Sequence, residues 1–68
     1  MNRSEQLVER LYFLEHGESK PCSEILRLEY IDNNLSVRQI SEKYFISIGN
    51  VHSLLNKYKI YYKELKML

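Results

Sequence analysis

The stretch Leu35–Leu55, LSVRQISEKYFISIGNVHSLL, restricts the fold of this chain more than any other part of it. Ser36 stands before one run with helical apolar spacing, and Ser47 stands before the next. A serine oxygen accepts from the free N–H groups that open a helix, so each serine reads as an N-cap. Ser36 and Gln39 add the S-x-x-Q capping box. The spacing predicts one helix over about 37–44 and another starting at 48. The turn between them is too tight for a hairpin or an ordinary loop. Two helices that close in sequence cross at a steep angle, which is a helix-turn-helix arrangement.

Apolar spacing predicts helices in the rest of the chain as well. A first helix is expected over about Arg3–Glu15, with Asn2 as cap, Glu5 completing a capping box, and His16-Gly17 as the stop signal. Its Leu7, Leu11 and Leu14 fall on one stripe with Val8 and Tyr12 alongside. So wide an apolar face must pack on something, either the rest of the monomer or a second subunit. Pro21 suits the first turn of a second helix, over about 22–32. Ile25, Leu28 and Ile31 are expected to face the core there, with Tyr30 near the edge and Asn33-Asn34 as the end.

In the third helix Val37, Ile40 and Tyr44 point inward, while Arg38, Glu42 and Lys43 point out. In the fourth, Ile48, Val51, Leu54, Leu55 and Tyr58 form the buried stripe. Gly49, Asn50, His52, Ser53, Asn56 and Lys57 are left on the exposed arc. The segment from Lys59 either extends that helix, since Tyr58, Tyr62 and Leu65 keep the period, or breaks near Lys59 so that Ile60 and Tyr61 seal the core. A break followed by a short frayed helix is preferred. The expected fold is all-α: one small helical bundle, with an N-terminal helix in 1–17, a trihelical core in 21–60 and a tail in 61–68.

Composition excludes more than it assigns. Sixty-eight residues make a single domain with a thin stability margin. One cysteine, Cys22, allows no internal disulfide; it reads as a buried structural thiol and fits a reducing cytoplasm. No apolar run approaches the roughly 18 residues of a membrane span, and no signal-peptide pattern is present. The carboxylates read as scattered over solvent faces, and His16 and His52 have no metal-ligand companions. No phosphate loop or nucleophile motif is present, so neither an enzyme nor a cofactor is expected. Net charge is only +1. Its distribution is uneven: residues 1–34 carry four basic and seven acidic side chains, a balance of −3, and residues 35–68 carry six basic and two acidic, a balance of +4. A basic half that coincides with the two-helix segment suits a phosphate-facing surface; chance segregation in a short chain is the alternative.

Residues 25–60, with Leu35-Ser36, Ile40, Ile46-Ser47, Val51 and Leu55 in the key places, resemble the trihelical helix-turn-helix of resolvase-type and small phage or bacterial DNA-binding regulators. The resemblance covers about half of the chain and leaves out the first helix and the tail. It implies double-stranded DNA as partner and a role in transcription regulation, an inference from fold by analogy. It implies that Ser36, Arg38, Ser47, Lys57 and Lys59 meet phosphates. It also implies that Gly49 permits close approach while Asn50, His52, Ser53 and Asn56 face base edges. Each role has a plainer counterpart: the serines cap helices with or without DNA, His52 fits a solvated surface position, and the lysines serve solubility.

Two features depart from the family pattern. Phe45 occupies the turn position where Gly is common, which suggests either another turn geometry or an aromatic offered to a partner. The exposed arc before Lys57 has no Arg or Lys, although Arg to guanine is the commonest specific contact. A homodimer joined through Leu7, Leu11 and Leu14 would compensate by pairing two half-sites. Phe45, six tyrosines and near-neutral charge also fit a protein-interaction module on the same fold, such as an antirepressor, a regulator of a larger DNA-binding complex or a DNA-packaging adaptor.

Overall fold

Two buried glutamates organise the helices. In the computed structural model, which describes residues 3–60, the chain forms α1 (Arg3–His16), α2 (Cys22–Arg27), a π-helical turn (Leu28–Asp32), α3 (Val37–Tyr44) and α4 (Ile48–Lys57). No strand occurs among the described residues, so the fold is all-α. The core combines Val8 and Tyr12 of α1, Cys22, Ile25 and Leu26 of α2, Ile40 and Tyr44 of α3, and Val51, Leu54 and Leu55 of α4. Ile46 from the α3–α4 turn and Ile60 after α4 close it.

Glu29 is 1% exposed. Its carboxylate accepts from Lys43 Nζ at 2.6 Å, from Asn33 Nδ2 at 2.8 Å and from the Tyr44 hydroxyl. Glu5 repeats the arrangement: also buried, it accepts from Lys57 Nζ at 2.6 Å and from the Tyr58 hydroxyl. A Lys-Tyr pair at the end of α3 holds Glu29, and a Lys-Tyr pair at the end of α4 holds Glu5. These contacts correct the expectation that all carboxylates lie on solvent faces and that Lys43 points outward. They also give Glu5 a partner across the fold; Asn2, its expected capping partner, lies outside the described residues.

The buried side of α2 also differs from expectation. Cys22, Ile25, Leu26 and Glu29 are buried, whereas Leu28 and Ile31 are only half-buried. A stripe drawn through Ile25, Leu28 and Ile31 advances by three each time and drifts around the helix. The true stripe at 22, 25, 26 and 29 keeps to one side, but its last member is a glutamate. Pro21 has no side-chain cap to offer α2; Glu9 of α1 does this instead, its Oε2 accepting from the Cys22 N–H at 2.8 Å. Burial pushes the Cys22 thiol up to about 11, which makes it an inert packing group.

Helix boundaries follow the chemistry read from sequence. Gly17 ends α1 at φ +73°, its N–H bonded to the Phe13 carbonyl at 2.8 Å. Asn34 turns the chain after the π segment at φ 57°. Ser36 and Gln39 make both bonds of the capping box, and Ser47 Oγ accepts from the Asn50 N–H at 3.1 Å. Lys59 breaks the chain after α4 at φ 57°, and Ile60 is buried. The expected frayed helix and the sealing role of Tyr61 lie outside the described residues.

The α3–α4 turn is left-handed at Phe45, φ 55° and ψ 41°, so a bulky side chain occupies the geometry in which Gly was expected. Ser41 and Ile46 clasp it: the Ser41 hydroxyl donates to the Ile46 carbonyl at 2.7 Å, and the Ile46 N–H donates to the Ser41 carbonyl at 3.2 Å. Phe45 itself is 77% exposed.

The Glu29 site gives a pH dependence. Burial alone would raise its pKa, but the bonds from Lys43, Tyr44 and Asn33 outweigh burial and hold it below the usual carboxylate range. A carboxyl whose pKa is depressed by folding stabilises the fold above its unfolded pKa of about 4.3, and that contribution is lost as pH falls through the folded value. Thermal melts followed by circular dichroism should show Glu29→Gln less stable than wild type at pH 7 by about 2 kcal/mol. The gap should narrow as the pH drops from 5 to 3.

Candidate nucleic-acid interface

α4 separates its apolar and polar residues cleanly. Val51, Leu54 and Leu55 are buried, whereas Gly49, Asn50, His52, Ser53 and Asn56 are all exposed. The residues expected to read base edges therefore share the outward surface of one helix. Ser36 and Ser47 are exposed at the starts of α3 and α4, their oxygens accepting from Gln39 N–H and Asn50 N–H, both at 3.1 Å. Each bond uses one serine lone pair and leaves the hydroxyl proton able to donate. The positive ends of two helix dipoles lie at the same positions.

The cations are less equivalent than the sequence suggests. The Arg38 side chain is 79% exposed and, among the described residues, makes a solvent-facing contact to Glu42 at 3.5 Å. Such a pair is worth little and yields readily to a stronger anion. Lys57 differs, because its Nζ sits 2.6 Å from the buried Glu5 carboxylate. A phosphate there would compete with an established ion pair. Lys59 is exposed at the left-handed break after α4. Lys43, with Glu29 at 2.6 Å and Glu15 at 3.6 Å, is occupied in holding the fold.

An open cleft of about 450 Å³ lies between the start of α3 and the face of α4. Ser36, Arg38 and Gln39 line it together with Ile48 and His52. On α4, Ile48 departs from the expected pattern. Expected in the buried stripe, it is 46% exposed. Val51, Leu54, Leu55 and Tyr58 already complete the inward side of the helix, and Ile48, the first residue after the cap, is left outside it.

The leucines assigned to a dimer contact divide. Leu7 and Leu11 are half-buried against the core of their own chain, so the inward side of α1 centres on Val8 and Tyr12. Leu14 is 68% exposed and Phe13 beside it 49%. No set of three or more acidic, His or Cys side chains is arranged to hold a metal ion among the described residues, and none of their helices is long and apolar enough to cross a membrane. No family model, curated protein or solved structure matches the chain.

Gly49 gives a direct test of why glycine stands in the first turn of α4. A Cβ built there meets nothing nearer than Ser47 Oγ at 4.0 Å, so the fold itself does not demand glycine. Gly49→Ala should raise stability by about 0.5–1 kcal/mol through the lower entropy cost of alanine in a helix, measured by urea titration.

Proposed function

We propose that this chain is a small sequence-specific DNA-binding transcriptional regulator, with α3 and α4 acting as a helix-turn-helix on double-stranded DNA. The observation that carries this reading is the outward face of α4, where five polar or small residues are exposed opposite a fully buried stripe. A helix with that face, opened by a serine cap and set beside a second capped helix bearing an exposed arginine, suits a major groove flanked by phosphates. In this reading Asn50, His52, Ser53 and Asn56 face base edges, and Gly49 lets the backbone come close. Ser36, Ser47, Arg38 and Lys59 meet phosphates, and Lys57 does so at the expense of its pair with Glu5. With so few free cations on the face, one copy binds weakly. A homodimer using the exposed Leu14 end of α1 supplies a second half-site.

A second reading has its own observation. Phe45 holds a left-handed conformation and stays exposed, a combination that local stability does not favour. An exposed aromatic at a turn suits a protein partner, and a protein-interaction module on the same fold follows from it.

Fluorescence anisotropy with duplexes selected from a random pool, repeated over a salt series, tests the first reading. Affinity should fall with salt, and Arg38→Ala should reduce the slope of log K against log salt by about two, one for each copy on the duplex. Sedimentation of the saturated complex should give two chains per duplex. Absence of binding at low salt, or binding without salt dependence, removes the DNA reading and leaves the protein-interaction one.

A further inference from the structure

Ile48 is an exposed apolar residue at the edge of the polar arc of α4, and its cleft is shared with the half-buried Tyr30, Leu35 and Val37. It opens α4 directly after the Ser47 cap, lies one helical turn before His52, and borders with it the cleft that also contains Ser36, Arg38 and Gln39. The core does not require it, because Val51, Leu54 and Leu55 fill the inward side. Other exposed apolar residues sit elsewhere: Phe45 in the turn, and Phe13 and Leu14 on α1.

In the major groove the four base pairs differ in hydrogen-bonding groups and in one apolar feature, the 5-methyl group of thymine. An exposed branched aliphatic side chain has nothing to offer the donors and acceptors of guanine or cytosine, but it packs favourably on that methyl. Its neighbours on the face agree with this choice. Asn50 and Asn56 carry amides of the kind that bond adenine at N6 and N7, and the face before Lys57 has no arginine to select guanine.

Building on the DNA-binding reading, we infer that Ile48 is a specificity-determining residue that packs against the methyl group of a thymine in the target. The preferred site is A·T-rich where α4 enters the groove. The contact is one of dispersion and water exclusion, so it adds discrimination with little salt dependence. Removing the methyl alone costs about fourfold in affinity, the typical effect of one buried carbon.

The test uses the full chain and the duplex enriched from a random pool, with each thymine replaced in turn by deoxyuridine. That change deletes the methyl and keeps the pairing. Wild type should lose about fourfold in affinity at one thymine per half-site, and Ile48→Ala should be insensitive to the same replacement. Ile48→Gln, which keeps a good helix former at the position, should be equally insensitive, and circular dichroism melts should show both variants folded. The inference is overturned if wild type tolerates every replacement, or if the variants remain as sensitive as wild type. If either result comes from a duplex bound with clear salt dependence, the DNA-binding reading still stands. Failure to enrich any salt-dependent duplex overturns both.

Discussion

The carboxylate of Glu29 is the constraint on which the arrangement of these helices depends. A carboxylate removed from water costs several kcal/mol unless charged and hydrogen-bonding groups surround it. Here Lys43, Tyr44 and Asn33 do so. Asn33 is local, but Lys43 and Tyr44 come from the far end of α3, so α3 can lie against the π turn only in a position that delivers both. Once α3 is fixed, the short turn after it fixes the start of α4. The end of α4 then delivers Lys57 and Tyr58 to Glu5, tying the last described helix to the first. Two Lys-Tyr pairs therefore set the order in which helices meet, while the apolar core supplies most of the driving force.

Phe45 is understandable in that frame. A left-handed residue other than Gly costs roughly 1 kcal/mol or more, so surrounding structure must impose it. Ile46 is buried and is bonded to Ser41 in both directions. Tyr44, on the other side, is held at Glu29. With residues 44 and 46 both fixed inward, residue 45 is forced outward through a reversal that the left-handed region provides. The aromatic ring gains no burial from this, and nothing in the packing of the monomer calls for an aromatic ring there.

Much of this architecture was legible in the sequence because its signals are local. Serine caps, the capping box at Ser36-Gln39, Gly17 after α1 and the break at Lys59 each depend on residues within one or two turns. The two misplaced glutamates have non-local causes. Glu5 and Glu29 are buried because partners 52 and 14 residues away reach them, and no spacing rule expects a charge to complete an apolar stripe. Ile48 keeps the i, i+3, i+7 spacing to Val51 and Leu55 that drew it inward, yet as the first residue of α4 it stays exposed. For the candidate site, the exposed polar arc of α4 was readable from periodicity. The unequal commitment of Arg38, Lys57 and Lys43 was not, since each depends on where distant carboxylates lie.

The charge split between the two halves takes on a different meaning as a result. Part of it is internal complementarity: Lys43 and Lys57 of the basic half neutralise Glu29 and Glu5 of the acidic half. Charge patterning that resembled a phosphate-facing surface is therefore partly the means by which the ends of the chain are held together. Among the described residues this leaves Arg38 and Lys59 as the basic side chains of the second half without a buried partner. A surface so lightly charged gains little from long-range attraction. Any recognition it performs must depend on short-range fit: amides, a hydroxyl, an imidazole and one exposed aliphatic side chain, all on a single helix. Such contacts discriminate well but bind weakly one at a time, so in the DNA-binding reading affinity has to come from engaging two copies at once.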